Sequence, residues 1–134
     1  MNEKFIDIEK VKEMFCNRDY IYFLTIKPPP NELIHIRSND IHEYLNRKNL
    51  TNWIVKCKSP KGYVHFHGLI NFMEHQEIRK GNCAALKRKV QRDMGFVQCD
   101  PLFTSVVTAY DYIRSPNNDN ISEHYTKRVS YTMC

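Results

Sequence analysis

Glycine is scarce in this chain, four residues in 134, and proline is little commoner at six. That shortage excludes collagen-like and Gly/Pro-rich low-complexity chains. No apolar run approaches the roughly 20 residues that span a bilayer. The opening Met1-Asn2-Glu3-Lys4 lacks the hydrophobic stretch of a secretory signal. The expectation is a soluble intracellular protein with no membrane partner. The five cysteines, Cys16, Cys57, Cys83, Cys99 and Cys134, contain no CxxC pair. An odd count at irregular spacing argues against a disulfide framework and a thiolate zinc site, and for free thiols in a reducing compartment. No P-loop pattern is present, so residues 1–134 hold no helicase motor.

What is present is an ordinary folding composition, 42% hydrophobic, at a length that makes one domain. Residues 1–134 are therefore expected to form a single unit, with the polar tail after about residue 117 assigned no structure. Twenty Lys and Arg against 15 Asp and Glu give a net charge of +5, a modest bias toward an anionic partner. The excess is concentrated. Residues 78–92 carry six basic side chains (among them Lys87, Arg88, Lys89 and Arg92) and no acid. A solvated helix face is the usual fate of such a run, and nucleic-acid contact is the alternative.

Hydrophobic periodicity predicts helices over 6–17 and 41–50, the second with Asp40 as its N-cap. Residues 19–26 predict a buried strand. Residues 53–58 and 62–73 predict a hairpin around Ser59-Pro60-Lys61-Gly62. A helix over 84–94, a short strand over 96–99 and a helix over 105–114 capped by Thr104 or Ser105 complete the pattern. Strands interleaved with helices in this order fit an α+β fold with a central antiparallel sheet flanked by helices.

Residues 63–72, Tyr-Val-His-Phe-His-Gly-Leu-Ile-Asn-Phe, carry the chemistry. On a strand, His65 and His67 project from one face, while Val64, Phe66, Ile70 and Phe72 project from the other. Two imidazoles so placed can share an ion. They can equally be half-exposed polar residues opposite an apolar face. Gly68 would leave room for a close-approaching ligand. Cys57 would oppose His65 if the hairpin loop is three residues, and Lys56 would if it is four. Either way the third ligand stays unassigned, with Cys57 a candidate.

Three segments together resemble the HUH endonuclease superfamily, in particular the initiator nucleases of small single-stranded DNA viruses: circovirus and geminivirus Rep proteins and the parvovirus nonstructural initiator. Tyr22-Phe23-Leu24-Thr25-Ile26-Lys27-Pro28 is similar to the family's first motif, and His65-Phe66-His67 to its metal-binding second. Tyr112-Ile113-Arg114-Ser115 is similar to the third, the helix with the nucleophilic tyrosine, and begins 45 residues after His67. Two positions depart from the pattern. The metal carboxylate, seven to nine residues before the first histidine, is replaced here by Lys58, Cys57 and Lys56. The lysine three residues after the tyrosine is Ser115, with Arg114 adjacent. Tyr110, four residues before Arg114, is the alternative nucleophile, and Tyr125 a distant third.

The resemblance implies a site-specific single-stranded DNA nickase and strand transferase that initiates rolling-circle or rolling-hairpin replication through a 5′-phosphotyrosine. It implies a divalent metal, Mn²⁺ or Mg²⁺, although imidazole ligands also suit zinc or another transition metal. The DNA partner would be a single strand or hairpin at a replication origin, contacted by Lys58, Lys61, Lys87, Arg88, Lys89 and Arg92. A helicase domain would lie elsewhere in a longer protein, and the location would be a host nucleus. A non-catalytic nucleic-acid-binding α+β module is the main alternative. A histidine-triad hydrolase is disfavoured because Leu69 stands where a third histidine is needed.

Overall fold

The computed structural model describes residues 5–16, 21–27, 38–47, 50–71, 96–115 and 119–126. In chain order these form α1 (Ile8–Met14), β1 (Ile21–Lys27), α2 (Ser38–Arg47), β2 (Thr51–Lys58), β3 (Val64–Asn71), β4 (Phe96–Pro101), α3 (Val106–Ile113) and β5 (Asp119–Thr126). The strands make one five-stranded sheet in the order β4-β1-β3-β2-β5, and every neighbouring pair is antiparallel. The class is α+β, as expected.

Strand alternation divides the sheet into two faces, each covered by helix. On one, Tyr22, Leu24, Ile26, Ile54, Phe66, Ile70 and Cys99 pack against Ile41, Tyr44 and Leu45 of α2. On the other, Ile21, Trp53, Val55, Cys57 and Leu69 pack against Val11 and Met14 of α1 and Ala109 and Ile113 of α3. Trp53 is fully buried there.

Local signals set most boundaries. Asp7 caps α1 by accepting from the Lys10 N–H at 2.9 Å, and Ser105 caps α3 by accepting from the Thr108 N–H at 3.0 Å. The hairpin turn is closed by the Gly62 N–H donating to the Ser59 carbonyl at 2.8 Å, with Gly62 at a φ of 90°. Few residues but glycine adopt that backbone without strain. Helix α2 begins at Ser38, so Asp40 lies within its first turn rather than capping it.

Three expectations need correction. The segment after 117 is not without structure: residues 119–126 form β5, an edge strand on β2. Gly68 does not leave space for a ligand. A Cβ there would collide with the Trp53 carbonyl oxygen and come 2.7 Å from Ile54 Cδ1, so glycine is required by the close approach of β2. Of the cysteines, Cys57 and Cys99 are buried outside any disulfide, but Cys16 is disulfide-bonded. The helix expected over 84–94 lies outside the described residues. No helix among the described residues is long and apolar enough to cross a membrane.

Candidate active site

His65 and His67 sit on the central strand β3, on the face shared with α1 and α3. Their ring centroids are 4.8 Å apart. Register supplies their neighbours, because residues paired across antiparallel strands share a face. Thr25 of β1 is opposite His67, and Gln98 of β4 is opposite Thr25. The Thr25 hydroxyl lies 3.2 Å from His67 Nδ1 and fixes the ring's orientation.

Helix α3 buries Ala109 and Ile113 against the apolar end of this face. Between those two residues it carries Tyr112, beside Ile113, out over the polar end. The Tyr112 ring stands 5.3 Å from the His67 ring, edge-on at 66°. Phe23 completes the group, 5.4 Å from His67 and 6.0 Å from Tyr112. Such edge-to-face aromatic contacts add roughly 0.5–1.5 kcal/mol beyond area burial. Tyr112 is nevertheless 56% exposed, so one side of the ring faces solvent.

His67 is 5% exposed, and its pKa is pushed down from 6.5 to about 4. Burial is the main cause, helped by His65 and by the Lys27 ammonium, and opposed by a hydrogen bond with the Leu24 backbone. At neutral pH the ring is uncharged, which is the form that ligates metals.

Cys57 does lie opposite His65, as a three-residue loop requires. Burial, however, pushes its thiol up from 9.0 to about 12, against a hydrogen bond from Asn120 and the charge of Arg114. A protonated, soft sulfur is a poor ligand for Mg²⁺ or Mn²⁺. Among the described residues, no group of three or more His, Cys, Asp or Glu is arranged to hold a metal. Among the described residues, the donors that could face an ion at this site are therefore the two imidazoles, a set short of the four protein ligands of a structural zinc.

The alternative tyrosines are placed differently. The Tyr110 hydroxyl donates to the Ile6 carbonyl at 2.7 Å, and its ring stacks on Trp53 at 5.6 Å. Tyr125 lies on β5, opposite Trp53. Arg114 does not supply a cation beside Tyr112, since its guanidinium is paired with Glu123 at 2.7 Å. Lys58 and Lys61 are exposed at the hairpin end, while Lys87, Arg88, Lys89 and Arg92 lie outside the described residues.

Next to the histidines is an open pocket of about 350 Å³, lined by Phe23, Thr25, Gln98, Asp100, Phe103 and Tyr112 among others. Gln98 donates to the Asp100 carboxylate at 2.9 Å, and Phe103 is 78% exposed at the pocket rim. Sequence reasoning did not single out Thr25, Lys27, Gln98 or Asp100 as site residues. Only strand register brings β1 and β4 beside the histidines; Thr25 and Lys27 did fall within the first motif. Comparisons with family models, with characterised proteins and with solved structures gave no match for this chain.

Proposed function

We propose that this protein is a metal-dependent single-stranded DNA endonuclease of the HUH type, with Tyr112 as nucleophile and His65 and His67 as metal ligands. The observation that carries the reading is the contact between Tyr112 and His67. A phenol on an independent helix is held against a neutral imidazole on the central strand, at a solvent-open edge. The histidine pair on a middle strand of a five-stranded antiparallel sheet also supports it.

A divalent ion held by the two imidazoles would polarise the scissile phosphate and offset the weak nucleophilicity of a phenol. The Tyr112 oxygen attacks phosphorus, the bond from phosphorus to the 3′ oxygen breaks, and the phenolic proton leaves. The 3′ oxygen gains a proton and becomes a hydroxyl, while the 5′ phosphate stays on Tyr112. Because the phosphodiester is exchanged rather than hydrolysed, the reverse attack by a 3′-hydroxyl rejoins the strand. Thr25 holds the His67 ring, and the apolar rings of Phe23 and Tyr112 limit water on one side.

Aromatic surfaces suit unstacked bases, each worth roughly 1–3 kcal/mol. Phe103 and Tyr63 (62% exposed) meet that description, and Lys58 and Lys61 add phosphate contacts. The biological reading is initiation of rolling-circle or rolling-hairpin replication at an origin hairpin, in a host nucleus, with the helicase elsewhere in a longer viral protein. The test is incubation with labelled single-stranded oligonucleotides and Mn²⁺ or Mg²⁺, followed by denaturing electrophoresis. Binding without any covalent adduct or cleavage would instead favour the non-catalytic module.

A further inference from the structure

One carboxylate, Glu123, accepts three hydrogen bonds and plays no part in the chemistry above. It lies on β5, and its side chain is 3% exposed. One carboxylate oxygen accepts from the Ile6 N–H at 2.6 Å. The other accepts from the Trp53 indole N–H at 2.6 Å and from Arg114 at 2.7 Å. Arg114 is the C-cap of α3. It also donates to the Ile6 carbonyl at 2.8 Å and to Asn120 at 3.0 Å. Asn120 in turn donates to the Ile113 carbonyl, at the last turn of the same helix, at 3.2 Å.

We propose that Glu123 and Arg114 are positioning residues for Tyr112, setting the rotation and height of α3 over the histidine strand. The inference rests on the nuclease reading of that site. Helix α3 is short, eight residues, and its apolar contacts alone leave it free to roll on a sheet face. Rolling by one side-chain width would carry Tyr112 off His67. The clasp prevents this by tying the helix C-terminus to three separately positioned elements: β5 through Glu123, β2 through Trp53, and the chain before α1 through Ile6. A buried ion pair of this kind gives little net stability compared with apolar replacements but does fix geometry. Because displacements of about 1 Å in a reacting group are costly in rate, the effect should fall on turnover rather than on substrate binding.

The experiment compares wild type with Glu123→Gln and Arg114→Lys. Glutamine keeps the size but turns an amide donor toward groups that are themselves donors, and lysine retains the charge. Two readouts are taken from each folded protein. The first is the NMR shift of the His67 imidazole protons, which feel the Tyr112 ring current; Tyr112→Ala provides the reference. The second is the rate of adduct formation with a single-stranded oligonucleotide and Mn²⁺.

In Glu123→Gln, the His67 signals should move toward those of Tyr112→Ala. Maximal adduct rate should fall at least tenfold with KM unchanged within twofold, and Arg114→Lys should recover at least a third of the wild-type rate. A folded Glu123→Gln with wild-type His67 signals would overturn the proposal. Should Glu123→Gln not fold, Tyr110→Phe loosens Ile6 by one hydrogen bond. A smaller shift in the same direction then supports the clasp, and no shift overturns it. A wild type that forms no adduct argues against the nuclease, while the His67 signals still decide the clasp.

Discussion

The ring of Tyr112, on the last helix, stands 5.3 Å from the ring of His67, on the central strand, with the plane of one edge-on to the other. Two elements distant in sequence converge there because the sheet face changes character along its length. Its apolar end holds α3 through Ala109 and Ile113, and its polar end receives the next side chain out.

Titration of His67 gives the first prediction. Its folded pKa is about 4 and its unfolded value 6.5. Between those values the unfolded chain binds a proton that the folded chain refuses, so stability rises with pH across the window. The metal-free protein should lose up to about 3 kcal/mol as pH falls from 6.5 to below 4. Thermal unfolding at pH 7.5 and 5.0 should differ more for wild type than for His67→Gln. Equal differences would show that His67 is not buried in its neutral form.

Gly68 tests the packing beneath the histidines. Gly68→Ala should destabilise by about 1–3 kcal/mol or more, because the added methyl meets the Trp53 carbonyl and the Ile54 side chain. Denaturant unfolding measures it. A neutral substitution would mean that β2 and β3 are not so closely apposed.

Sulfur ligation is separable from nitrogen ligation. Cys57→Ala should leave Mn²⁺ affinity within twofold, because the thiol is buried, protonated and engaged with Asn120. His65→Ala and His67→Ala should each weaken it at least tenfold. Isothermal titration or paramagnetic broadening reads the affinities. A tenfold loss on removing Cys57 would place sulfur among the ligands.

Much of this architecture follows from side-chain pattern alone. The alternation through residues 64–71 places both histidines on one face, and the serine at 105 marks where the tyrosine helix begins. Strand β5 was missed for a physical reason. Asp119-Asn120-Ile121-Ser122-Glu123-His124-Tyr125-Thr126 carries only two large hydrophobic residues, and both are exposed. Beyond its ladder with β2, it is held by hydrogen bonds that Glu123 accepts from Ile6 and Trp53 and that Asn120 donates to Cys57, contacts distant in sequence that no local pattern encodes. Arg114 illustrates the same limit: two residues after Tyr112 in sequence, it turns to Glu123 in space. Gly68 was legible as a close approach, but the approaching group is β2 rather than a ligand.

Tyr110 separates structure from chemistry on the same helix. Tyr110→Phe should cost about 0.5–1.5 kcal/mol through loss of its bond to Ile6. It should leave an adduct-forming protein, with a rate reduced only as far as the clasp is loosened. Complete loss of adduct in Tyr110→Phe, with stability unchanged, would transfer the nucleophile to Tyr110.

The most direct measurement is the covalent adduct itself. With a labelled single-stranded or stem-loop oligonucleotide and Mn²⁺, wild type should give a protein–DNA band that survives SDS. Peptide mapping should locate the phosphate on Tyr112. Tyr112→Phe should give no such band while still binding the oligonucleotide, and chelation of the metal should abolish the band in wild type. An adduct that persists in Tyr112→Phe, or that forms equally well in a His65→Ala, His67→Ala double variant, would contradict the account.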